Sequence, residues 1–252
     1  MIRSIAPGAR AAAAVRGILF DKDGTLVDFD ATWQPAYRRG ALAFVSGDAA
    51  LAARLLAVGG WNGVSDRIDA DSVLACGSIH EIAALWMAAL PPGRHHGGGE
   101  VDPAVFLAAV FNAVTARSAR PVTDLGALFE RLTGRGLILG VATNDSYDGA
   151  MASLARFGIV DCLAFVAGCD SGYPDKPDPG MVEAFCATAG LAPSEVMVVG
   201  DSRRDILMGR RAGVGICVGV LGGSGSLAAL ASDADWVIDG LSDLESLLDR
   251  EA

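Results

Sequence analysis

The spacing of apolar and polar positions changes twice along the chain. A short apolar run at residues 17–20 stops at Asp21, Lys22 and Asp23, which indicates a buried strand closed by a turn. Between residues 26 and 120, apolar positions recur at helical spacing without a convincing strand, and helices are predicted at 42–58, 78–90 and 103–116. From residue 121 onward, short apolar runs alternate with helical patterns, which predicts a parallel sheet covered by helices.

The alternating part predicts an α/β fold with a doubly wound, Rossmann-like parallel sheet. Further strands are expected at 137–142, 163–167, 196–200, 216–220 and 236–238. Helices are expected at 122–133, 149–157, 179–188, 205–212 and 241–248. The core is therefore discontinuous, formed by residues 1–27 and 121–252, with an all-helical insertion at 28–120. Residues 1–16 are expected to form a frayed lead-in rather than a signal peptide.

Composition narrows the class of protein. A chain of 252 residues can bury one large core or one domain with a smaller second one. No apolar run approaches the roughly 18 residues of a membrane span, and the net charge of −10 argues against nucleic acid or an anionic membrane as a partner. Five scattered cysteines indicate free thiols in a reducing cytoplasm rather than a disulfide framework or a zinc site.

The first strand ends in two carboxylates that should share one face. Side chains alternate with period two in extended backbone, so Asp21 and Asp23 point the same way. In open α/β sheets, ligands bind beyond the carboxyl ends of the strands, where this pair would lie. The pair therefore indicates a metal site, a nucleophile with an acid/base partner, or both. An ordinary strand followed by a turn remains the alternative.

Three later segments place polar residues at the same predicted edge. Thr143 and Asn144 follow a strand and precede a helix, which favours an anion site or a helix cap. Lys176 is one of only two lysines in the chain and is stiffened by prolines on both sides. Asp201 and Asp205 would join Asp21 and Asp23, and four converging carboxylates require a cation, for which hard oxygen ligands favour Mg²⁺.

In order and spacing these motifs resemble the haloacid dehalogenase superfamily of phosphohydrolases. The matching segments are 21–25, 143–144, 176–179 and 200–205, and the resemblance covers the whole core. The insertion is similar to the helical cap of the subgroup that contains phosphoglycolate phosphatase and β-phosphoglucomutase. The resemblance thus implies a Mg²⁺-dependent phosphatase of a small cytoplasmic phosphate ester, acting as a monomer or homodimer.

The resemblance also implies a role for each core residue. Asp21 would be the nucleophile and Asp23 the general acid/base. Asp21, Asp201 and the backbone carbonyl of Asp23 would hold Mg²⁺, and Asp205 would ligate it through water or orient its ligands. Lys176 would neutralise charge on the nucleophile and the phosphoryl group, with Asp170 positioning it. The phosphate-binding set would comprise Thr143, Asn144, Gly24 and Thr25.

The residues of the cap that would select the substrate follow the first motif closely. The candidates are Asp30, Trp33, Tyr37, Arg38 and Arg39. Arg38 or Arg39 could bind a substrate carboxylate, as a phosphoglycolate-like ester would require, although a solvated helix face is an alternative. Trp33 is expected to contribute to packing rather than to substrate stacking. Lys22 stands where the family carries an apolar residue, and alternation points it away from the nucleophile, toward solvent or the cap hinge.

Within the family, Asp23 argues against a dehalogenase, since that branch lacks the second aspartate. A phosphonoacetaldehyde hydrolase would need a Schiff-base lysine in the cap, and residues 26–120 contain no lysine. Two alternatives to the phosphatase stay open. One is a sugar phosphomutase, which shares the core residues, and the other is a catalytically idle protein that binds a partner through its cap.

Overall fold

The computed structural model describes residues 1–5 and 15–251 of the chain. Within them, the strands are β1 (Ile2–Ser4), β2 (Gly17–Phe20), β3 (Trp61–Asn62), β4 (Arg67–Ile68), β5 (Ile138–Ala142), β6 (Leu163–Ala167), β7 (Val196–Gly200), β8 (Ile216–Val220) and β9 (Trp236–Ile238). The helices are α1 (Phe29–Phe44), α2 (Ala49–Val58), α3 (Val73–Cys76), α4 (Ile79–Ala89), α5 (Pro103–Ser118), α6 (Leu125–Gly134), α7 (Tyr147–Arg156), α8 (Gly180–Ala189), α9 (Arg203–Ala212), α10 (Leu227–Ala231) and α11 (Leu244–Glu251).

The described strands form one seven-stranded sheet and a separate two-stranded hairpin. The large sheet has the order β1-β9-β8-β7-β2-β5-β6, so β2 lies between β7 and β5. After β2 the chain adds β5 and β6 on one side of it and then β7, β8 and β9 on the other, which places the topological switch point at the carboxyl end of β2. The α/β class with a doubly wound sheet is confirmed, with one correction. The edge strand β1, which we predicted to be a frayed lead-in, pairs antiparallel with β9; residues 6–14 of that lead-in lie outside the described residues.

Apolar side chains fill both faces of the large sheet. Its central strands are buried along their whole length, as expected for parallel strands covered by helices. On one face the ring of Phe20 stacks on that of Phe129 from α6 at a centroid distance of 5.3 Å. On the other face, Phe185 from α8 packs with Leu19 and Val198. The sheet is therefore held rigidly, and so are the polar residues that follow its strands.

The helices between β2 and β5 have an apolar core of their own. Trp33, Phe44, Trp86 and Phe111 belong to one buried cluster that draws only on residues 29–111 and their neighbours. We propose on this basis that residues 28–120 form the cap and that 1–27 with 121–252 form the core. The insertion is not all-helical, because β3 and β4 form a short antiparallel hairpin within it.

The helix predicted over 42–58 is two helices. The chain leaves α1 at Phe44 and turns through Ser46 and Gly47, both of which have positive φ, before Asp48 caps α2. The apolar spacing continues across this break, so periodicity alone could not reveal it. In the Pro-Gly-rich segment that follows α4, the His96 ring is buried and stacks on Phe44.

Among the described residues, no helix combines the length and the apolar character that crossing a bilayer requires.

Candidate active site

The carboxyl ends of three neighbouring strands place the predicted polar residues at one edge of the sheet. Asp21 follows β2 directly, and its backbone N–H continues the ladder by donating to the Val199 carbonyl at 2.8 Å. Thr143 follows β5, and Asp201 follows β7. These side chains are buried together with Lys176, which reaches the edge from the loop after β6. The structure thus brings together the core residues that the sequence predicted.

Lys176 forms a buried bridge between two of the aspartates. Its Nζ lies 2.6 Å from Asp21 Oδ1 and 2.6 Å from Asp205 Oδ1. Burial alone would lower the pKa of Lys176, but the charges of Asp205 and Asp21 raise it above its usual range. Burial raises the pKa of Asp21 well above its ordinary value, and Lys176 opposes this shift only in part. The lysine therefore stays charged and holds the Asp21 carboxylate in a fixed orientation.

Asp21, Asp201 and Asp205 form an acidic cluster that fits a hard divalent cation. One carboxylate oxygen from each lies within 4.8 Å of those from the other two. Asp21 Oδ2 is buried and has no hydrogen-bond partner among the described residues. Burial, followed by the charge of Asp205, raises the pKa of Asp201 to about 7. A cation bound among these oxygens would supply the missing partner and offset the repulsion between the carboxylates.

Thr143 and Asn144 lie between this cluster and the start of α7. The Thr143 hydroxyl accepts a hydrogen bond from Asp145 N–H at 3.1 Å and donates weakly toward Asp23 Oδ2 at 3.5 Å. Asn144 holds the loops around it, since its Oδ1 accepts from Lys176 N–H and its Nδ2 donates to the Cys76 carbonyl of the cap. Ser146, rather than either of these residues, caps α7. Thr143 and Asn144 are thus free of the capping role that the sequence left open.

Lys22 occupies a different position from the one predicted. Its side chain is fully buried, whereas the sequence favoured an exposed loop lysine. Its Nζ lies 2.7 Å from Asp23 Oδ1 and 3.0 Å from Asp145 Oδ2. Burial alone would lower the pKa of Lys22, but Asp145 and Asp23 raise it above its usual range. The ammonium group therefore does not face solvent and stays charged between two carboxylates.

A cavity opens above these residues, beneath the cap. Its floor is polar and comes from the core, whereas its roof is mostly apolar and comes from α1, α3 and α4. The core residues that line it are Asp21, Asp23, Thr143, Asn144, Asp145, Lys176, Asp201, Ser202, Asp205 and Ser224. The cap residues that line it are Phe29, Trp33, Tyr37, Ala75, Cys76, Gly77, Ile79 and Ile82. A phosphate group would meet the floor, and the rest of the ester would meet the roof.

The charged residues of α1 do not reach this cavity. Arg38 is exposed and pairs with Asp66, with its guanidinium 4.5 Å from the centre of the Trp61 ring. Arg39 and Asp30 are also exposed and absent from the cavity lining. Arg38 and Arg39 therefore follow the solvated-face alternative. Trp33 and Tyr37, by contrast, line the roof while stacking on each other at 5.1 Å.

Three further predicted residues lie near the cavity without lining it. Gly24 and Thr25 are buried in the turn that follows β2 and are absent from the cavity lining. Asp170 accepts a hydrogen bond from Tyr147 N–H at the start of α7, so the expectation that it positions Lys176 is wrong. The neighbours of Lys176 are instead Asp21, Asp205 and Asn144.

Sequence reasoning missed three core residues of the site, namely Asp145, Ser202 and Ser224. Ser202 lies inside the last motif, and its hydroxyl donates to Asp205 Oδ2. Asp145 stands in a run that resembled a helix cap, and only its contact with Lys22 distinguishes it. Ser224 follows β8 in a Gly-Ser-rich loop, and its N–H and hydroxyl both donate to Asp201 Oδ2. A signal for Asp145 was present in Lys22, within the first motif. If the side chain of this lysine turned inward, it would need a buried carboxylate as its partner. Ser224 had no comparable signal.

Comparison with known proteins shows the family of the chain. Residues 15–213 match the model of the haloacid dehalogenase-like hydrolases. The chain belongs to this family. A phosphoglycolate phosphatase of Yersinia pseudotuberculosis is 30% identical over 234 residues, which cover 92% of each chain. One from Haemophilus influenzae is 33% identical over 119 residues, about half of each chain. The chain is thus a hydrolase of phosphoric monoesters.

Solved structures of the family share the fold of this hydrolase. A predicted phosphoglycolate phosphatase from Haemophilus somnus superimposes with a TM-score of 0.66 at 22% identity, over 93% of this chain and 98% of that one. A candidate β-phosphoglucomutase from Thermotoga maritima gives a TM-score of 0.66 at 18% identity, over 94% of this chain and 99% of that one. At these identities the likeness establishes the fold. The distinction between a phosphatase and a phosphomutase rests on the site.

Proposed function

We propose that this hydrolase cleaves a small phosphomonoester with the help of Mg²⁺, through an aspartyl phosphate, a mixed anhydride, formed on Asp21. The observation that carries the proposal is the position of the Asp21 carboxylate. It lies at the cavity floor, where Lys176 binds Oδ1 and Oδ2 is buried without a hydrogen-bond partner among the described residues. One of its oxygens lies within 4.8 Å of carboxylate oxygens of Asp201 and Asp205. Attack of a carboxylate on a phosphate dianion requires that the repulsion between them be cancelled, and these neighbours provide the means.

In the first half-reaction, an Asp21 oxygen would attack phosphorus and the bond from phosphorus to the leaving oxygen would break. Asp23 would give its proton to that oxygen, so that the product leaves as an alcohol. The Asp23 carboxylate lies beside the cavity, with Oδ2 3.5 Å from Thr143 Oγ1. Thr143 and the backbone of Asn144 would hold the phosphoryl oxygens during this transfer.

In the second half-reaction, Asp23 would take a proton from a water molecule that attacks phosphorus. The bond between phosphorus and Asp21 would break, releasing inorganic phosphate and restoring both aspartates. The side chains of Asp21, Asp201 and Asp205 would hold Mg²⁺, with the Asp23 carbonyl as a further predicted ligand. When bound, the ion supplies positive charge that stabilises the equatorial oxygens of the transferring phosphoryl group.

The roof of the cavity constrains the leaving group. The cap residues that form the roof include apolar side chains such as Phe29, Ile79 and Ile82, and none of the described roof residues is cationic. A substrate carboxylate would therefore meet no guanidinium there, in contrast to the sequence-based expectation for Arg38 and Arg39. We propose a small leaving group without a strong negative charge. The names of the relatives support phosphoglycolate, so it is the reference substrate to compare with neutral esters of similar size.

Replacing the nucleophile tests the mechanism. We expect Asp21→Asn to lower phosphate release by on the order of 10³-fold or more, because the amide cannot form the phosphoenzyme. Phosphate release is measured with Mg²⁺ and with chelator, and acid-quenched protein is examined for phosphate bound to Asp21. The exposed Asp161 gives the control variant Asp161→Asn, which should keep full activity. Wild-type turnover by Asp21→Asn, with an unchanged melting temperature, would contradict the proposal.

A comparison of phosphoglycolate with neutral esters of similar size also distinguishes a phosphatase from a phosphomutase. Phosphate should appear in step with the alcohol product, and neutral esters should exceed phosphoglycolate in kcat/KM. An isomerised sugar phosphate formed without free phosphate would instead establish the mutase.

A further inference from the structure

Lys22 is joined to the proposed acid/base by its shortest polar contact. Its fully buried Nζ lies 2.7 Å from Asp23 Oδ1, and the second contact, 3.0 Å long, is with Asp145 Oδ2. The Lys22 backbone is fixed as well, since its carbonyl accepts hydrogen bonds from Leu26 and Val27 N–H at 2.9 and 3.0 Å. The ammonium group is therefore held by the turn beneath it and by two carboxylates, and it has little freedom to move.

This geometry settles which oxygen of Asp23 faces the reaction. The terminal torsion of an aspartate is broad, so an unanchored carboxylate would rotate and present either oxygen. Lys22 occupies Oδ1, which leaves Oδ2 toward Thr143 Oγ1. The Asp23 side chain is only 13% exposed, so solvent offers few other partners. Proton transfer requires a donor oxygen at hydrogen-bond distance from the leaving oxygen, and this arrangement would keep one there.

Among the described residues, the polar contacts of the Asp145 side chain at the cavity floor are with Lys22 and the local backbone. It is buried, its Oδ1 accepts from Ser146 N–H, and its Oδ2 meets Lys22. A buried ion pair is rarely a net gain in stability over an apolar pair of similar volume, so stability alone does not account for it. The third partner, Asp23, does account for it. The attraction of Asp145 balances that of Asp23, so that the ammonium group of Lys22 stays fixed between the two carboxylates.

We propose that Lys22, held by Asp145, is a positioning residue that orients the Asp23 carboxyl group, so that the proton on Oδ2 faces the leaving oxygen and passes to it. The inference rests on the proposed function, in which Asp23 is the general acid. It predicts a defect that depends on the leaving group. An alkoxide leaves poorly and needs the proton, whereas 4-nitrophenolate leaves readily without it.

The test uses Lys22→Met, together with the double variant Lys22→Met/Asp145→Asn. The single variant leaves Asp145 charged and buried without its partner, which can prevent folding. The double variant removes both charges while nearly preserving volume, and its melting temperature is measured against wild type. Asp23→Asn serves as the reference for complete loss of the acid.

The rate of the first turnover is measured with an alkyl phosphate and with 4-nitrophenyl phosphate. The first turnover isolates formation of the phosphoenzyme from its later hydrolysis, in which Asp23 acts again. We expect the alkyl ester to react about 10²-fold to 10⁴-fold more slowly in the double variant, the usual contribution of a general acid. The first turnover of 4-nitrophenyl phosphate and the KM for both esters should change little, and Asp23→Asn should show the same pattern.

An equal loss for both esters would overturn the inference, because it would mean that Lys22 acts on the fold or on the phosphate site. An unchanged rate with the alkyl ester would overturn it as well, since Asp23 would then be oriented without Lys22. The proposed function is judged separately, by wild type alone. If wild type forms no phosphoenzyme from either ester, the proposed function fails before any variant is compared.

Discussion

At the scale of single residues, Gly24 explains how the first motif and the acidic cluster pack against each other. Its φ is +91°, in the left-handed region that side chains with a Cβ rarely adopt. A Cβ at this position would also collide with the Asp201 carboxylate and meet the Gly223 backbone at 3.0 Å. The backbone therefore approaches Asp201 as closely as it does only because residue 24 has no side chain.

We accordingly expect Gly24→Ala to weaken metal binding as well as folding. Gly136→Ala is a matched control, because Gly136 also has a positive φ, +80°, but a Cβ there would have open space around it. Both variants should lose about 1–2 kcal/mol of stability from the unfavourable backbone conformation. Only Gly24→Ala should also bind Mg²⁺ more weakly, as followed by calorimetric titration. Equal Mg²⁺ affinity in the two variants would show that Asp201 moves aside without consequence.

Individual residues were predictable where strand periodicity determined their direction. Asp21 and Asp201 follow straight apolar strands, so the face they take could be inferred from the sequence. Lys22 could not be inferred in the same way, because the chain turns directly after Asp21 and the alternation no longer holds. Its burial depends on Asp145, which is distant in sequence and follows a different strand.

At the scale of elements, one ion pair joins the cap to the core beside the cavity. Glu81 in the first turn of α4 accepts two hydrogen bonds from Arg204 in α9, at 2.7 and 3.0 Å. Arg204 also donates to the Lys176 carbonyl at 3.1 Å. Glu81 caps α4 by accepting from Ser78 N–H, so the orientation of the helix and the ion pair are linked. This contact favours the arrangement in which the cap covers the cavity.

We expect Arg204→Ala to weaken catalysis more than stability. A partly exposed ion pair contributes about 0–1 kcal/mol, so the melting temperature should fall little. The arrangement in which the cap covers the cavity would lose that energy. We therefore expect kcat/KM to fall up to about fivefold, chiefly through KM. Arg131→Ala is the control, because Arg131 in α6 makes a similar bidentate pair with Glu245 in α11. Both helices belong to the proposed core, so this pair does not involve the cap. Equal kinetic effects in both variants would mean that the α4–α9 contact does not govern the cap.

Elements were predicted best where apolar runs were short and bounded by polar residues. The strands at 163–167, 196–200, 216–220 and 236–238 were predicted with their observed bounds. Boundaries failed where apolar spacing ran through a turn, as between α1 and α2. The edge strand β1 was missed because its pairing with β9 depends on a contact from one end of the chain to the other.

At the scale of the whole molecule, negative charge is concentrated at the site. Five aspartates face only two lysines there, in a protein whose net charge is already −10. The aspartates are Asp21, Asp23, Asp145, Asp201 and Asp205. When all five are ionised, three negative charges have no lysine partner, and burial strengthens their mutual repulsion. A bound divalent cation would therefore stabilise the fold as well as the reaction.

This stabilisation should depend on pH in a defined direction. Because burial and Asp205 raise the pKa of Asp201 to about 7, the folded, metal-free protein should retain a proton there between about pH 4 and pH 7, where the unfolded chain has released it. Metal-free stability should thus fall as pH rises toward about 7, since the folded state binds more protons than the unfolded state. Mg²⁺ must displace this proton at low pH, so its apparent affinity should weaken by up to about tenfold per pH unit below 7.

The melting temperature with and without Mg²⁺ measures this coupling. At about 100 times its Kd, the ion should stabilise the protein by about 2.7 kcal/mol, and a fixed concentration should raise the melting temperature more near pH 8 than near pH 6. Sodium chloride at equal ionic strength controls for screening of surface charge. Asp201→Asn should reduce the Mg²⁺ effect and its pH dependence together, because the amide has no proton to lose. An equal increase at both pH values in wild type would mean that Mg²⁺ does not bind at Asp201.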